Sequence, residues 1–121
     1  MSALAQANIE MKRGNTRKID LAIADSGVPV NLTGVSLTFE AKYSVADTTA
    51  FITKDGAHGI TVTDAAGGKC TIQLDPADTS SLPSIVTVLY WDVRLTDATL
   101  KESYTVAEGK LVIEPEIVPA S

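Results

Sequence analysis

A strict two-residue alternation of apolar and polar side chains runs through most of this chain. It is clearest in "VSLTFEAKY" and "TVLYWDVRLTD", and it recurs in "RKIDLAIAD" and "KCTIQL". A period of two is that of a β-strand with one buried face, and no segment carries a sustained helical stripe. Seven residues on the apolar side form the predicted core: Leu37, Phe39, Ile72, Leu89, Trp91, Val93 and Leu95.

Turn signals separate these segments at spacings of about 8–12 residues, which is typical of β-sandwiches. We therefore predict an all-β fold, an immunoglobulin-like or related antiparallel β-sandwich of 7–9 short strands. A chain of 121 residues has the length of one domain. Residues 1–121 are predicted to form that single domain.

The stretch "DSGVPVNLTG" predicts a turn, an extended crossing and a second turn. Gly27 tolerates a positive φ, and Pro29 has no N–H to donate to a central strand pair. The segment is expected to carry the chain from one sheet to the other and to end in a loop at Gly34.

A short helical turn is predicted near residues 76–81, in "DPADTSSL". Asp75 is a good N-cap and Pro76 suits the first helical position. Asp78 lies where its carboxylate can reach back to the cap.

The formal charge is −5 and is unevenly distributed. Residues 10–20 carry four basic and two acidic side chains, a net +2, so the remainder carries −7. An acidic body argues against nucleic-acid binding, which needs a basic face. No apolar run approaches the ~20 residues that span a bilayer, and the start lacks the order of a secretion signal, so no membrane partner is expected.

No motif for catalysis, a metal or a cofactor is present, and we expect none of the three. The lone histidine, His58, lies in a glycine-rich loop, and Cys70 alternates with apolar residues as a buried thiol would. Asp64, Asp75 and Asp78 do not follow a calcium-loop pattern, so turn and capping roles are expected.

The ends of the chain, residues 1–12 and 114–121, are extended and partly apolar. We expect them to act as docking arms on neighbouring proteins. The segment "ESYTVAEGKLVIEPEI" before the C-terminal end predicts two strands around "AEGK", or one strand with a bulge at Gly109.

Three stretches in order resemble a family of small tailed-phage virion proteins. They are "NIEMKRGNTRKIDLAIADSGVPVNLTG", "ITVTDAAGGKCTIQLDPADTSSLP" and "YWDVRLTDATLKESYTVAEGKLVIEPEI". The layout is similar to that of the N-terminal domain of upper baseplate proteins in phages with long flexible tails, and it spans about residues 8–118. Asn31 stands where aspartate is common in the family, and Ser84 or Ile85 stands near the place of a family glycine.

The resemblance implies a structural virion protein at the tail, baseplate or fibre attachment region, assembled in the host bacterial cytoplasm. Its partners would be other virion proteins, and homo-oligomers that follow particle symmetry are compatible with it. Two alternatives stay open: a capsid decoration protein, and a carbohydrate-binding module for host attachment that uses Tyr43, Tyr90 and Tyr104 together with loop aspartates.

Truncation of Trp91 to alanine tests the predicted core. If the indole lies between the two sheets, its loss should lower the free energy of unfolding by about 3–5 kcal/mol. Urea titration followed by far-ultraviolet circular dichroism measures this difference. A loss below about 1 kcal/mol would contradict a buried Trp91.

Overall fold

The computed structural model describes residues 5–117 and confirms the all-β class, with 56% of those residues in strands and 4% in a helix. In chain order the elements are β1 (Ala5–Gln6), β2 (Ile9–Lys12), β3 (Arg17–Ala22), β4 (Ala24–Asp25), β5 (Val28–Pro29), β6 (Ser36–Lys42), β7 (Ile52–Asp55), β8 (Ile60–Asp64), β9 (Lys69–Leu74), α1 (Pro76–Thr79), β10 (Thr87–Asp97) and β11 (Glu102–Glu114). Within the described residues, eight strands have four or more residues and three have two.

The strands form a six-stranded sheet, a three-stranded sheet and a small hairpin. The larger sheet has the order β7-β6-β10-β11, and both β1 and β2 lie on the far side of β11. The smaller sheet has the order β3-β9-β8, and β4 pairs with β5. The strand pairs are antiparallel, as predicted, except that β1 and β2 run parallel to β11. Alternation reveals a strand but not its direction.

One core lies between the two sheets. Apolar side chains from the inner faces of both sheets form a single buried cluster, and all seven predicted core residues belong to it. Trp91 is only 3% exposed and stacks on Phe39 with ring centroids 5.7 Å apart. Along β10, buried and exposed side chains alternate from Thr87 to Thr96.

β10 is the central strand, and its register with both neighbours is long. It pairs with β6 from Tyr90 to Thr96 and with β11 along its whole length. The register with β11 changes where Val93 pairs with Ala107 but Arg94 pairs with Thr105, which leaves Val106 without a partner. β11 is therefore one strand, and its bulge lies at Val106 and not at Gly109 as predicted.

Gly109 has a different role, which is to allow a close approach of backbones. A Cβ on Gly109 would lie 1.7 Å from the carbonyl oxygen of Ala7 and 3.1 Å from Nε1 of Trp91. The Ala7 N–H donates to the Glu108 carbonyl at 3.1 Å, so the segment between β1 and β2 passes directly over this glycine. Any side chain here would push that segment off β11.

The described parts of the predicted docking arms, 1–12 and 114–121, contact the rest of the chain, and their docking role stays a prediction. In the N-terminal segment, Ile9 and Met11 are buried in the protein's own core, so residues 5–12 are part of the sheet. At the other end, the Arg13 guanidinium binds both carboxylate oxygens of Glu116 at 2.6–3.2 Å and donates to the Leu82 carbonyl at 2.6 Å. Residues 1–4 and 118–121 of the predicted arms lie outside the described residues.

The stretch "DSGVPVNLTG" connects β3 of the smaller sheet to β6 of the larger one. Ser26 and Gly27 both have positive φ, 52° and 82°, as a tight type I′ hairpin turn requires. Pro29 lies in the β4–β5 hairpin outside both sheets, and Gly34 has φ 76°. Leu32 anchors the crossing because its side chain is buried.

The helical turn covers Pro76–Thr79, shorter than the predicted 76–81, and connects β9 to β10. Asp78 Oδ2 accepts the backbone N–H of Asp75 at 2.6 Å, which is the predicted reach back to the cap. Thr79 is fully buried and its Oγ1 accepts the Gly14 N–H at 2.8 Å. The turn therefore holds the β2–β3 connection in place.

Substitution of Gly109 by alanine tests the close approach. We expect Gly109→Ala to lower the free energy of unfolding by about 3 kcal/mol, since the new methyl group overlaps the Ala7 carbonyl. Gly56→Ala is the matched control, because nothing lies within 4 Å of its Cβ position. Equal urea midpoints for the two variants would refute this role of Gly109.

Candidate docking surface

The solvent side of β6, β10 and β11 forms a continuous surface, which we call the outer face. A shallow groove of about 580 Å³ lies over it, flanked by Asn8 near β2 and Val45 after β6. Three adjacent strands supply the outward side chains of this groove, and the paired register places them in rows across the sheet.

The acidic row consists of Glu40, Asp92 and Glu108. Asp92 on the central strand lies directly opposite Glu40 on one side and Glu108 on the other. Like charges directly opposite each other destabilise a sheet. Within residues 5–117, the side chains of Asp92 and Glu108 have no ion-pair or hydrogen-bond partner. The row thus places three carboxylates side by side across three strands.

The lysine row lies next to the acidic row and consists of Lys42, Tyr90 and Lys110. Tyr90 is directly opposite both lysines. Its side chain is 40% exposed, so its phenol group can reach a partner. Lys42 comes within 3.9 Å of Glu40 in the acidic row, whereas Lys110 makes no described ion pair.

The outer face becomes apolar beyond the lysine row, at the start of β10. This apolar end consists of Val86, Val88 and Val112, of which Val88 and Val112 pair across the strands. Val86 and Val88 are 58% and 38% exposed. Val86 directly precedes β10, and Val88 and Val112 lie on adjacent strands, so the three form one apolar patch of the outer face.

The opposite end of the outer face is polar and internally bonded. Arg94 donates to Ser103 Oγ at 3.1 Å and to Thr105 Oγ1 at 3.5 Å. From one end to the other, the outer face therefore presents an apolar end, a lysine row, an acidic row and an arginine.

An ion-pair cluster around the buried Lys54, at the edge of the core, was missed by the sequence analysis. The Lys54 side chain on β7 is 9% exposed, and its Nζ lies 2.7 Å from Asp78 Oδ2 and 3.4 Å from Asp75 Oδ2. Burial alone would lower the pKa of Lys54, but the two carboxylates together raise it. A hydrogen bond from Gln73 and the Lys54 charge lower the pKa of Asp75. The cluster ties the larger sheet to the turn that follows the smaller one.

The three tyrosines considered as a sugar site are not brought together. Tyr104 lies opposite Leu95, five residues along β10 from Tyr90, which is a separation of about 17 Å. Tyr43 packs edge-on against Phe51 with ring centroids 5.4 Å apart, beyond the end of β6.

The other titratable residues singled out in the sequence lie apart from the outer face. Exposed His58 bonds Asp55 at 3.1 Å through Nδ1, and Cys70 is buried. Burial and the nearby charge of Asp20 raise the pKa of the Cys70 thiol.

Across residues 5–117, no group of three or more His, Cys, Asp or Glu side chains is arranged to hold a metal ion. No helix in that range is long and apolar enough to cross a membrane.

Comparison with known proteins gives only distant similarities. No protein-family model and no curated protein matches the chain. The N-terminal domain of phage TP901-1 ORF48 is 12% identical over 94% of this chain and 98% of that chain, with a TM-score of 0.42. The periplasmic chaperone SfaE is 14% identical over 98% of this chain and 59% of that chain, with a TM-score of 0.39. Likeness at these scores does not establish a common fold.

The Lys54 cluster predicts a specific pH dependence of stability. Because the folded-state pKa of Asp75 is depressed, its contribution is present above about pH 4 and is lost as the pH falls further. The raised pKa of Lys54 means that its contribution is present below about pH 10 and is lost at higher pH. Asp75→Asn should therefore be less stable than the parent at pH 7, and the difference should shrink towards pH 2.

Urea titrations at several pH values measure this effect. Lys54→Met is the companion variant: in its background, Asp75→Asn should lose part of its effect because the two side chains are coupled. A pH-independent difference between Asp75→Asn and the parent would contradict the assignment.

Proposed function

We propose that this chain is a structural component of a tailed-phage particle that acts by docking on other virion proteins. Its place would be the tail, baseplate or fibre attachment region, and it would be assembled in the host bacterial cytoplasm. The role is mechanical: a rigid, immunoglobulin-like sandwich binds its neighbours through a surface that is already folded before contact. The proposal assigns no catalysis and no cofactor.

The observation that carries the proposal is where the family-like motifs lie in the fold. Gly27 of "DSGVPVNLTG" forms the tight turn, and Leu82 of "DTSSLP" is buried beside the helical turn. Trp91 of "YWDV" is buried in the core. Gly109 of "EGKLVI" allows the segment between β1 and β2 to pass close over β11. The ordered motifs therefore coincide with positions on which the fold depends, which is compatible with a family relation.

The apolar end of the outer face supports docking as the mode of action. Val88 on β10, Val112 on β11 and Val86 just before β10 present apolar surface inside the sheet, where a face that meets only water would carry polar side chains. The adjacent lysine row gives this apolar patch a polar rim, the usual anatomy of a protein interface. Capsid decoration would use the same mode of action at another location.

Carbohydrate binding has no specific observation in its favour, since the candidate tyrosines are far apart. A glycan array probed with the purified protein tests it directly. Binding to a defined sugar would replace the docking proposal.

Substitution of Val88, one of the exposed valines of the apolar end, tests the proposed function. In the phage that encodes this chain, Val88→Asp should reduce the yield of infective particles about tenfold or more, because a desolvated carboxylate would be forced into the docking contact. Val62→Asp is the matched control, since Val62 is 41% exposed against 38% for Val88 and lies on β8 of the other sheet.

Mass spectrometry of purified particles should detect the parent chain. Particles that lack the chain, or equal yields for Val88→Asp and Val62→Asp with both proteins folded, would refute the proposal.

A further inference from the structure

We infer that the outer face pairs with the outer face of a second copy of this chain. The basis is its charge pattern, which is complementary to itself under a two-fold rotation. This inference stands on the register of the six-stranded sheet and does not depend on a role in a phage particle.

The acidic row and the lysine row are adjacent, parallel and built on the same three strands. Each row has one residue on β6, one on β10 and one on β11, two positions from its counterpart in the other row. Two positions along a strand correspond to about 7 Å. The rows are therefore equal in length and aligned, and at each end a glutamate of one row lies next to a lysine of the other.

Consider a two-fold axis that lies in the plane of the interface, parallel to the rows and midway between them. Rotation about it keeps each position along a row and exchanges the two rows. The acidic row of one copy then faces the lysine row of the other, and the reverse contact forms at the same time. Such an isologous contact closes at two copies.

The pairing matches residue by residue. Glu40 faces Lys42 of the second copy on β6, and Glu108 faces Lys110 of the second copy on β11. On the central strand, Asp92 faces Tyr90 of the second copy, whose phenol can donate to the carboxylate. Sheets that pack face to face lie within about 30° of alignment, a rotation that leaves each row over its opposite.

The free chain carries a cost that this contact would remove. Three carboxylates directly across neighbouring strands repel each other, and Lys42 at 3.9 Å is their one ion-pair partner among the described residues. In the pair, each acidic row would gain the charges of two further lysines. A cluster of like charges that has one ion-pair partner within the described residues is expected at a functional surface.

Complementary charge reversal tests this arrangement. The first variant, Glu40→Lys/Glu108→Lys, makes both rows basic at their ends, and the second, Lys42→Glu/Lys110→Glu, makes both acidic. Each alone should self-associate about tenfold or more weakly than the parent, because like charges would face each other. Mixed in equal amounts, the two variants should form a heterodimer.

Sedimentation velocity over a range of protein concentrations measures these equilibria. The parent should form dimers at low ionic strength that dissociate as salt is added, since exposed charge pairs are screened. Lys18→Glu/Lys69→Glu is the control, with the same net charge as the second variant but its substitutions on the smaller sheet. It should self-associate like the parent and should not reproduce the heterodimer with the first variant.

A parent chain that stays monomeric at low salt up to about 1 mM would overturn the inference. Reversal variants that are folded by circular dichroism but fail to associate when mixed would overturn it as well. Val88→Asp separates this contact from the virion role, because the rotation places Val88 opposite Arg94 of the second copy. Dimers should therefore persist in a variant that has lost particle assembly.

Discussion

The register of β10 against its two neighbours is the constraint on which the rest of the structure depends. It places Trp91 and the other inner side chains of β10 in the core, and it aligns the charged residues of three strands into rows on the opposite side. A slip of one residue would turn the rows inward and the core outward. The burial of one face therefore determines the chemical pattern of the other. The surface pattern is as well defined as the core, although water covers it.

Polar contacts hold the segments that connect the two sheets. Arg13 and Gly14 bond to Glu116 and Thr79 after β2, and Lys54 bonds to Asp75 and Asp78 at the end of β9. Each contact joins segments that are distant in sequence, and most of its groups are partly shielded from water. A charge that is buried needs such partners, since an unpaired one would destabilise the fold by several kcal/mol. The connections are thus fixed by specific ion pairs, and the sheets by apolar burial.

The part of the fold that follows from local pattern could be predicted from the sequence, and the part that depends on distant partners could not. Alternation along β6 and β10 is a local property, so Phe39 and Trp91 could be assigned to the core. Lys54 shares a strand face with Ile52, and nothing nearby in sequence shows that its counterions lie more than twenty residues away.

The same dependence on distant partners explains why the pairing of the N-terminal segment and the charge rows of the outer face could not be predicted. An extended apolar stretch has the same sequence pattern whether it pairs within its own sheet or with another protein. The pattern over residues 1–12 therefore predicts an arm but does not show that β1 and β2 pair with β11. The bulge at Val106 arises from the match between two strands, and no residue in β11 signals it. The acidic row also forms only through strand pairing. Glu40, Asp92 and Glu108 are far apart in sequence and become neighbours when β6, β10 and β11 pair in the observed register.

The two proposed contacts of the outer face exclude each other, and this exclusion has a consequence for assembly. Rotation about the axis between the charged rows brings the second copy over Val88 as well, so a paired chain would have its apolar end covered. A contact with two-fold symmetry closes on itself and cannot propagate around a ring of subunits related only by rotation about one axis. A chain in such a ring would have to leave the pair before it docks.

The pairing contact is made of charges near the surface, so it would be weak and salt-sensitive. The docking contact is made of apolar side chains, so docking would be favoured over pairing wherever an apolar partner is present. Self-pairing would then shield an aggregation-prone patch until the chain meets its place in the particle.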